Sequence, residues 1–148
     1  MDQSNPSQKI LFVCTGNTCR SPMAEVIFKT LAKNQSLNFK ASSAGLYAQK
    51  EQISPNAKEA LKQLGYIPPK SRLSKQLNQN ILNTAGIVFT MTDRQKAQLQ
   101  PYFKNVYSMS EVLGYEINDP YGGSLDDYIK CAKDLENAIK IIIHELSK

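Results

Sequence analysis

Ile10-Leu11-Phe12-Val13 is a run of four apolar residues, cut off at once by Cys14-Thr15-Gly16-Asn17-Thr18-Cys19-Arg20-Ser21-Pro22. A run so short, free of polar residues and bounded by turn formers, reads as a strand buried on both faces. Pro22 then opens a helix in its first turn, where a missing N–H costs nothing. Met23, Val26, Ile27, Thr30 and Leu31 recur behind it at helical spacing. Strand, tight loop and helix in direct succession are the start of an α/β layer fold.

The alternation continues. Phe39 to Ser42 reads as a second, weaker strand closed by Ala44-Gly45. Ser54-Pro55 caps and opens a helix with Ala57, Ala60, Leu61 and Leu64 on one face, stopping at Gly65. After the break at Pro68-Pro69, Leu77 to Thr84 reads as a short helix, Ile87 to Thr90 as a buried strand, and Asp93 to Leu99 as a helix. Val106 to Ser108 is a further strand, and Tyr115 to Gly123 a turn-rich loop with Asp119-Pro120 and Gly122-Gly123. A long helix from Ser124 to Leu146 closes the chain, burying Tyr128, Leu135, Ile139, Ile142, Ile143 and Leu146. The expectation is a parallel sheet covered by helices on both faces, within one domain spanning residues 1–148.

In such folds ligands bind beyond the carboxyl ends of the strands, which is where Cys14 falls. A loop running into a helix N-terminus turns backbone N–H groups inward and makes an anion cradle. Gly16 suits the positive φ such a cradle needs, and Asn17 tolerates it next best. The helix dipole, the amides and Arg20 all favour a thiolate at Cys14. The Arg20 fork suits two phosphoryl oxygens, and Ser21 is placed to donate to the sulfur and ease its departure. The residues therefore point to a thiolate attacking a phosphoryl group. That reaction needs an acid for the leaving group. Asp119, stiffened by Pro120 and beside Tyr121 as a wall of the pocket, is the best candidate. Asp126 and Asp127 belong to the first turn of the last helix, and His144 to its end, where such residues are ordinary.

Composition narrows the setting. The chain carries a net charge of +5, which favours acidic partners such as phosphorylated proteins. Its lysines are scattered without an arginine-rich stripe, which argues against nucleic acid. Three cysteines do not make a disulfide framework and fit a reducing, cytoplasmic setting. One histidine leaves Cys14 and Cys19 without a zinc ligand set. Cys19 either traps an oxidised Cys14 as a disulfide or packs behind the loop, and Cys131 belongs to the core. Met1 to Gln8 is polar, which excludes a signal peptide and suggests a flexible tail over residues 1–8, and no apolar run is long enough for a membrane.

The motif from Val13 to Glu25, with Asp119-Pro120-Tyr121 far downstream, resembles the low-molecular-weight protein tyrosine phosphatase family. Ser42-Ser43-Ala44-Gly45 and Ser54-Pro55 fall where that family has related patterns. The resemblance implies a three-layer sandwich: a four-stranded parallel sheet flanked by helices, with the phosphate loop after the first strand. It implies Cys14 as nucleophile, Arg20 as phosphate clamp and Asp119 as general acid. Thr15, Gly16, Asn17, Thr18, Cys19 and Ser21 would form the phosphate-binding loop, with Ser43 bonded to Asn17 to hold its backbone and Tyr121 at the rim. No metal or organic cofactor is implied.

Three departures bear on the substrate. Tyrosine-specific members often carry an apolar β-branched residue at the place of Thr18 and a second aromatic at the place of Gly122. A histidine often found near the place of Pro69, a support of the loop, is absent. The Thr18 and Gly122-Gly123 pattern is similar to that of a bacterial branch acting on phosphoarginine in proteins. A threonine hydroxyl can bond a guanidinium and penalises a purely apolar ring, and a lost aromatic weakens the grip on phosphotyrosine. Phosphoarginine in proteins is therefore the favoured substrate and phosphotyrosine the alternative. Thioredoxin-coupled arsenate reductases share a similar loop, but they need two further neighbouring cysteines where only Cys131 remains, and tend to have glutamine at the place of Pro22. A phosphoprotein-binding module without catalysis would need neither the thiolate nor Asp119.

Overall fold

The computed structural model describes residues 8–148. Four strands, β1 (Lys9–Cys14), β2 (Lys40–Gly45), β3 (Ile87–Thr90) and β4 (Val106–Ser108), form one parallel sheet in the order β2-β1-β3-β4. Six helices connect or follow them: α1 (Arg20–Asn34), α2 (Pro55–Gln63), α3 (Gln79–Thr84), α4 (Asp93–Leu99), α5 (Met109–Leu113) and α6 (Leu125–Leu146).

The twofold alternation of β1 explains the layers. Ile10, Phe12 and Cys14 face one side, against buried residues of α1, α2, α5 and α6, while Leu11 and Val13 face the other, with Leu82 of α3 and Leu99 of α4. Phe12 sits between the rings of Phe28 and Phe89 at 5.9 and 6.0 Å between centroids. With both faces covered, β1 has to be apolar throughout, which is why it is the clearest strand in the sequence.

Expected and observed elements differ in four places. Strand β2 runs on to Gly45, because its pairing with β1 continues until Gly45 lies beside Cys14. The buried stripe of α1 is Met23, Ala24, Ile27, Phe28 and Ala32; Val26, Thr30 and Leu31 lie at its edge, and the Thr30 hydroxyl donates back to the Val26 carbonyl. Helix α3 starts only at Gln79, since Asn78 caps it by accepting from the Ile81 N–H. Helix α5 was not expected. It is one turn long, opened by a capping box of Ser108 and Glu111 and ended by Gly114 in the left-handed conformation. The tail expected over residues 1–8 lies outside the described residues except for Gln8, whose carbonyl accepts from Lys40 N–H at 2.9 Å. No helix among the described residues is long and apolar enough to cross a membrane.

Candidate active site

Residues 14–20 wrap around the floor of a cleft at the carboxyl edge of the sheet, where β1 has β2 on one side and β3 on the other. Asp119, Tyr121 and Glu51 complete its wall. Cys14 ends β1 with its sulfur 2.8 Å from Ser21 Oγ and accepting from Asn17 N–H at 3.3 Å. Ser21 Oγ also accepts from Asn17 Nδ2 at 2.7 Å, which leaves the serine proton free to point at the sulfur.

Asn17, and not Gly16, takes the left-handed backbone, at φ 58. This corrects the expectation that glycine would supply it. The reason is the side chain. Asn17 is wholly buried, and its amide donates to Ser21 Oγ and to Ser43 Oγ at 3.0 Å, while its Oδ1 accepts from Arg72 Nη2 and from Lys75 N–H, both at 2.9 Å. Four bonds offset the roughly 1–2 kcal/mol that an L residue pays in that region. Ser43 donates in turn to Glu25 Oε1 at 2.7 Å and accepts from Arg72 Nη2 at 2.6 Å. Arg72 Nη2 also lies 3.6 Å from Glu25. Burial alone would raise the Glu25 carboxyl, but Lys29, Ser43 and Arg72 outweigh it and hold it below the ordinary range. Arg72 thus ties Asn17 of the loop to Ser43 and Glu25.

Gly45 answers to close approach. A Cβ there would stand 2.7 Å from the Thr15 carbonyl oxygen and 3.0 Å from Asn17 Cβ, so the phosphate loop can lie against β2 only if residue 45 has no side chain. Thr15 is held from the other flank. Its hydroxyl accepts from Gln95 Nε2 at 3.1 Å, and Gln95 Oε1 accepts from Met91 and Thr92 N–H in the capping box of α4.

Arg20 is the first residue of α1 and is buried to 4% exposure. Its Nη1 donates to the Ile117 carbonyl at 3.0 Å, and its Nη2 lies 3.6 Å from Asp119 Oδ2. Asp119 is half exposed and forms a turn by accepting from Tyr121 N–H through Oδ1. Tyr121 stands at the rim, 73% exposed. Thr18 is partly buried with its hydroxyl 3.6 Å from the Cys19 sulfur. Cys19 lines the cleft, and its sulfur lies 3.4 Å from the Tyr128 hydroxyl. Burial pushes the Cys19 thiol up despite the bonds from Tyr128 and Thr18, and burial pushes Cys131 up to about 12. Both thiols are free and buried. Among the described residues no three acidic, histidine or cysteine side chains are grouped to hold a metal.

The rival acids Asp126, Asp127 and His144 do not line this cleft. Asp127 is occupied in the capping box of α6 with Ser124, and His144 lies in the last turn of α6, roughly 30 Å along the helix from its start. Gly122 sits at φ 79, where an L side chain would be strained, so its identity answers to the turn as well as to the pocket wall. Sequence reasoning missed Arg72, Glu25, Gln95 and Glu51. Glu25 lies one turn beyond the loop in α1, while Arg72, Gln95 and Glu51 reach the phosphate loop only through the packing of distant segments.

A thiol that accepts from a loop N–H, lining one cleft with a buried guanidinium and a carboxylate at the edge of a four-stranded parallel sheet, fits a cysteine-dependent protein phosphatase. The chain belongs to the low molecular weight phosphotyrosine protein phosphatase family, whose pattern matches residues 9–148. It is 36% identical to the protein-arginine-phosphatase of Bacillus subtilis over 94% of this chain and 97% of that protein. It is also 38% identical to the low molecular weight protein-tyrosine-phosphatase PtpB of Staphylococcus haemolyticus, over 81% of this chain and 86% of the relative. Among solved structures, a mutant YwlE arginine phosphatase with a phosphorylated active site serine superposes with a TM-score of 0.88 at 34% identity, covering 95% of this chain and 96% of that one.

Proposed function

We propose that this phosphatase removes phosphate from arginine side chains of proteins through a cysteinyl-phosphate intermediate. The observation that carries the substrate reading is Thr18 in the floor of the cleft, a hydroxyl where an aromatic ring would prefer an apolar wall. Similarity to a protein named for arginine dephosphorylation, over nearly the full length of both, supports it.

Cys14 Sγ attacks phosphorus in line with the leaving group, and a P–S bond forms as the P–N bond breaks. The amides of residues 15–20 and the free edge of Arg20 hold the equatorial oxygens. Asp119 gives its proton to the departing guanidine nitrogen, then takes one from the water that attacks the cysteinyl phosphate. Phosphate leaves, the P–S bond breaks, and the Ser21 hydroxyl receives the returning thiolate. A nucleophile that must stay reduced suits the cytoplasm.

The test compares kcat/KM on phosphoarginine and phosphotyrosine peptides of the same sequence. Preference for phosphoarginine, abolished in Cys14→Ser, is the expected result. Preference for phosphotyrosine would replace the substrate and keep the chemistry.

A further inference from the structure

Glu51 is an unexpected member of the cleft. It belongs to the connection between β2 and α2, and no part of the phosphate chemistry described above uses it. Its backbone is fixed. The Glu51 N–H donates to Ser74 Oγ at 2.9 Å, the Glu51 carbonyl accepts from Ser74 N–H at 2.7 Å, and Ser74 is buried. Gln52 beside it forms an antiparallel bridge with Leu73, and Ser54 N–H donates to the Thr18 carbonyl at 3.0 Å. The preceding residue, Lys50, is held at φ 54, a conformation that an L residue adopts at a cost when its surroundings impose it. Among the described residues the Glu51 carboxylate makes no hydrogen bond or ion pair, although the chain carries five more positive than negative charges. An exposed carboxylate on the wall of a phosphate pocket, anchored at its backbone, repels the phosphate itself. It helps only a substrate that brings positive charge with the phosphate.

We propose that Glu51 is a specificity residue whose carboxylate accepts from the unphosphorylated N–H groups of the substrate guanidinium while Cys14 faces the phosphorus. This rests on the phosphoarginine reading and deepens it: phosphotyrosine offers neither the charge nor the donor, so Glu51 favours one substrate and disfavours the other.

Phosphoarginine and phosphotyrosine, each N-acetylated and C-amidated, are the probes, since they carry neither flanking residues nor an α-ammonium charge. In Glu51→Gln, kcat/KM on phosphoarginine is expected to fall about tenfold, an exposed charged hydrogen bond being worth no more. On phosphotyrosine it is expected to rise, and Glu51→Asp is expected to recover part of the phosphoarginine preference. Added salt weakens that preference in the unaltered chain more than in Glu51→Gln. Equal changes on both substrates overturn the role of Glu51. So does a loss seen only with peptides that carry lysine or arginine beside the phosphorylated residue. If the unaltered chain does not hydrolyse phosphoarginine, the substrate reading fails and this role fails with it. If it does and Glu51→Gln keeps the ratio, only the role of Glu51 fails.

Discussion

Asp119 and Thr18 carry the claims that belong to single side chains. Asp119 makes one turn bond and a 3.6 Å approach to Arg20, so its removal leaves the cradle standing. Asp119→Ala is expected to lower kcat by about a hundredfold or more while inorganic phosphate still inhibits at similar concentration. The loss is expected to shrink for substrates whose leaving group needs no proton, and steady-state kinetics across leaving groups of different basicity checks this. Thr18 borders the cleft beside Cys19. Thr18→Ile keeps the β-branch and deletes the hydroxyl, so phosphotyrosine is expected to gain on phosphoarginine by about tenfold, read as the ratio of the two kcat/KM values. An unmoved ratio would take substrate choice away from residue 18.

At the scale of elements, the phosphate loop is shaped as much by β2 and the residue 72–75 segment as by its own sequence. Gly45 is the test. Gly45→Ala puts a Cβ 2.7 Å from a backbone oxygen that has no room to retreat, because the Thr15 carbonyl is also bonded to Tyr47 N–H. About 2 kcal/mol of stability is expected to go, with a larger loss of phosphate affinity, read from thermal melts with and without phosphate. Glu25 supplies a pH test. Its folded carboxyl titrates below its ordinary value, so the stability it lends is present above the unfolded value, near 4.5, and is lost as pH falls through the folded one. Glu25→Gln is expected to be less stable than the unaltered chain near neutral pH, with the gap closing below pH 4.5 in denaturant titrations. These supports explain what could be read in advance. Cys14, Arg20 and Ser21 lie within eight residues of one another after an unmistakable strand, so local pattern exposes them. Arg72 follows a proline-broken stretch without periodicity, and α5 is a single turn whose only signal is Ser108 and Glu111 three residues apart. In α1 the spacing marks Met23 and Ile27, which are buried, but gives no sign of Ala24 and Ala32, whose small side chains are buried beside them.

For the molecule as a whole, the sheet order sets the chemistry's location, and side chains from separate parts of the chain converge on that edge. Ile117 shows how tightly they are joined. Its N–H donates to the Met91 carbonyl at the end of β3, and its own carbonyl accepts from Arg20. The guanidinium proposed to grip the anion is therefore also tied to the segment that carries Asp119. Whatever quiets Arg20 quiets Ile117 and Asp119 with it, and the dependence runs both ways, since coupled equilibria are reciprocal. Amide hydrogen exchange at residues 117–119 is expected to slow when phosphate is added, and to stay fast in Arg20→Lys, which cannot span both partners. An empty cradle would then leave the proposed proton donor, Asp119, loosely aimed, and the arriving phosphate would do the last part of the aligning itself.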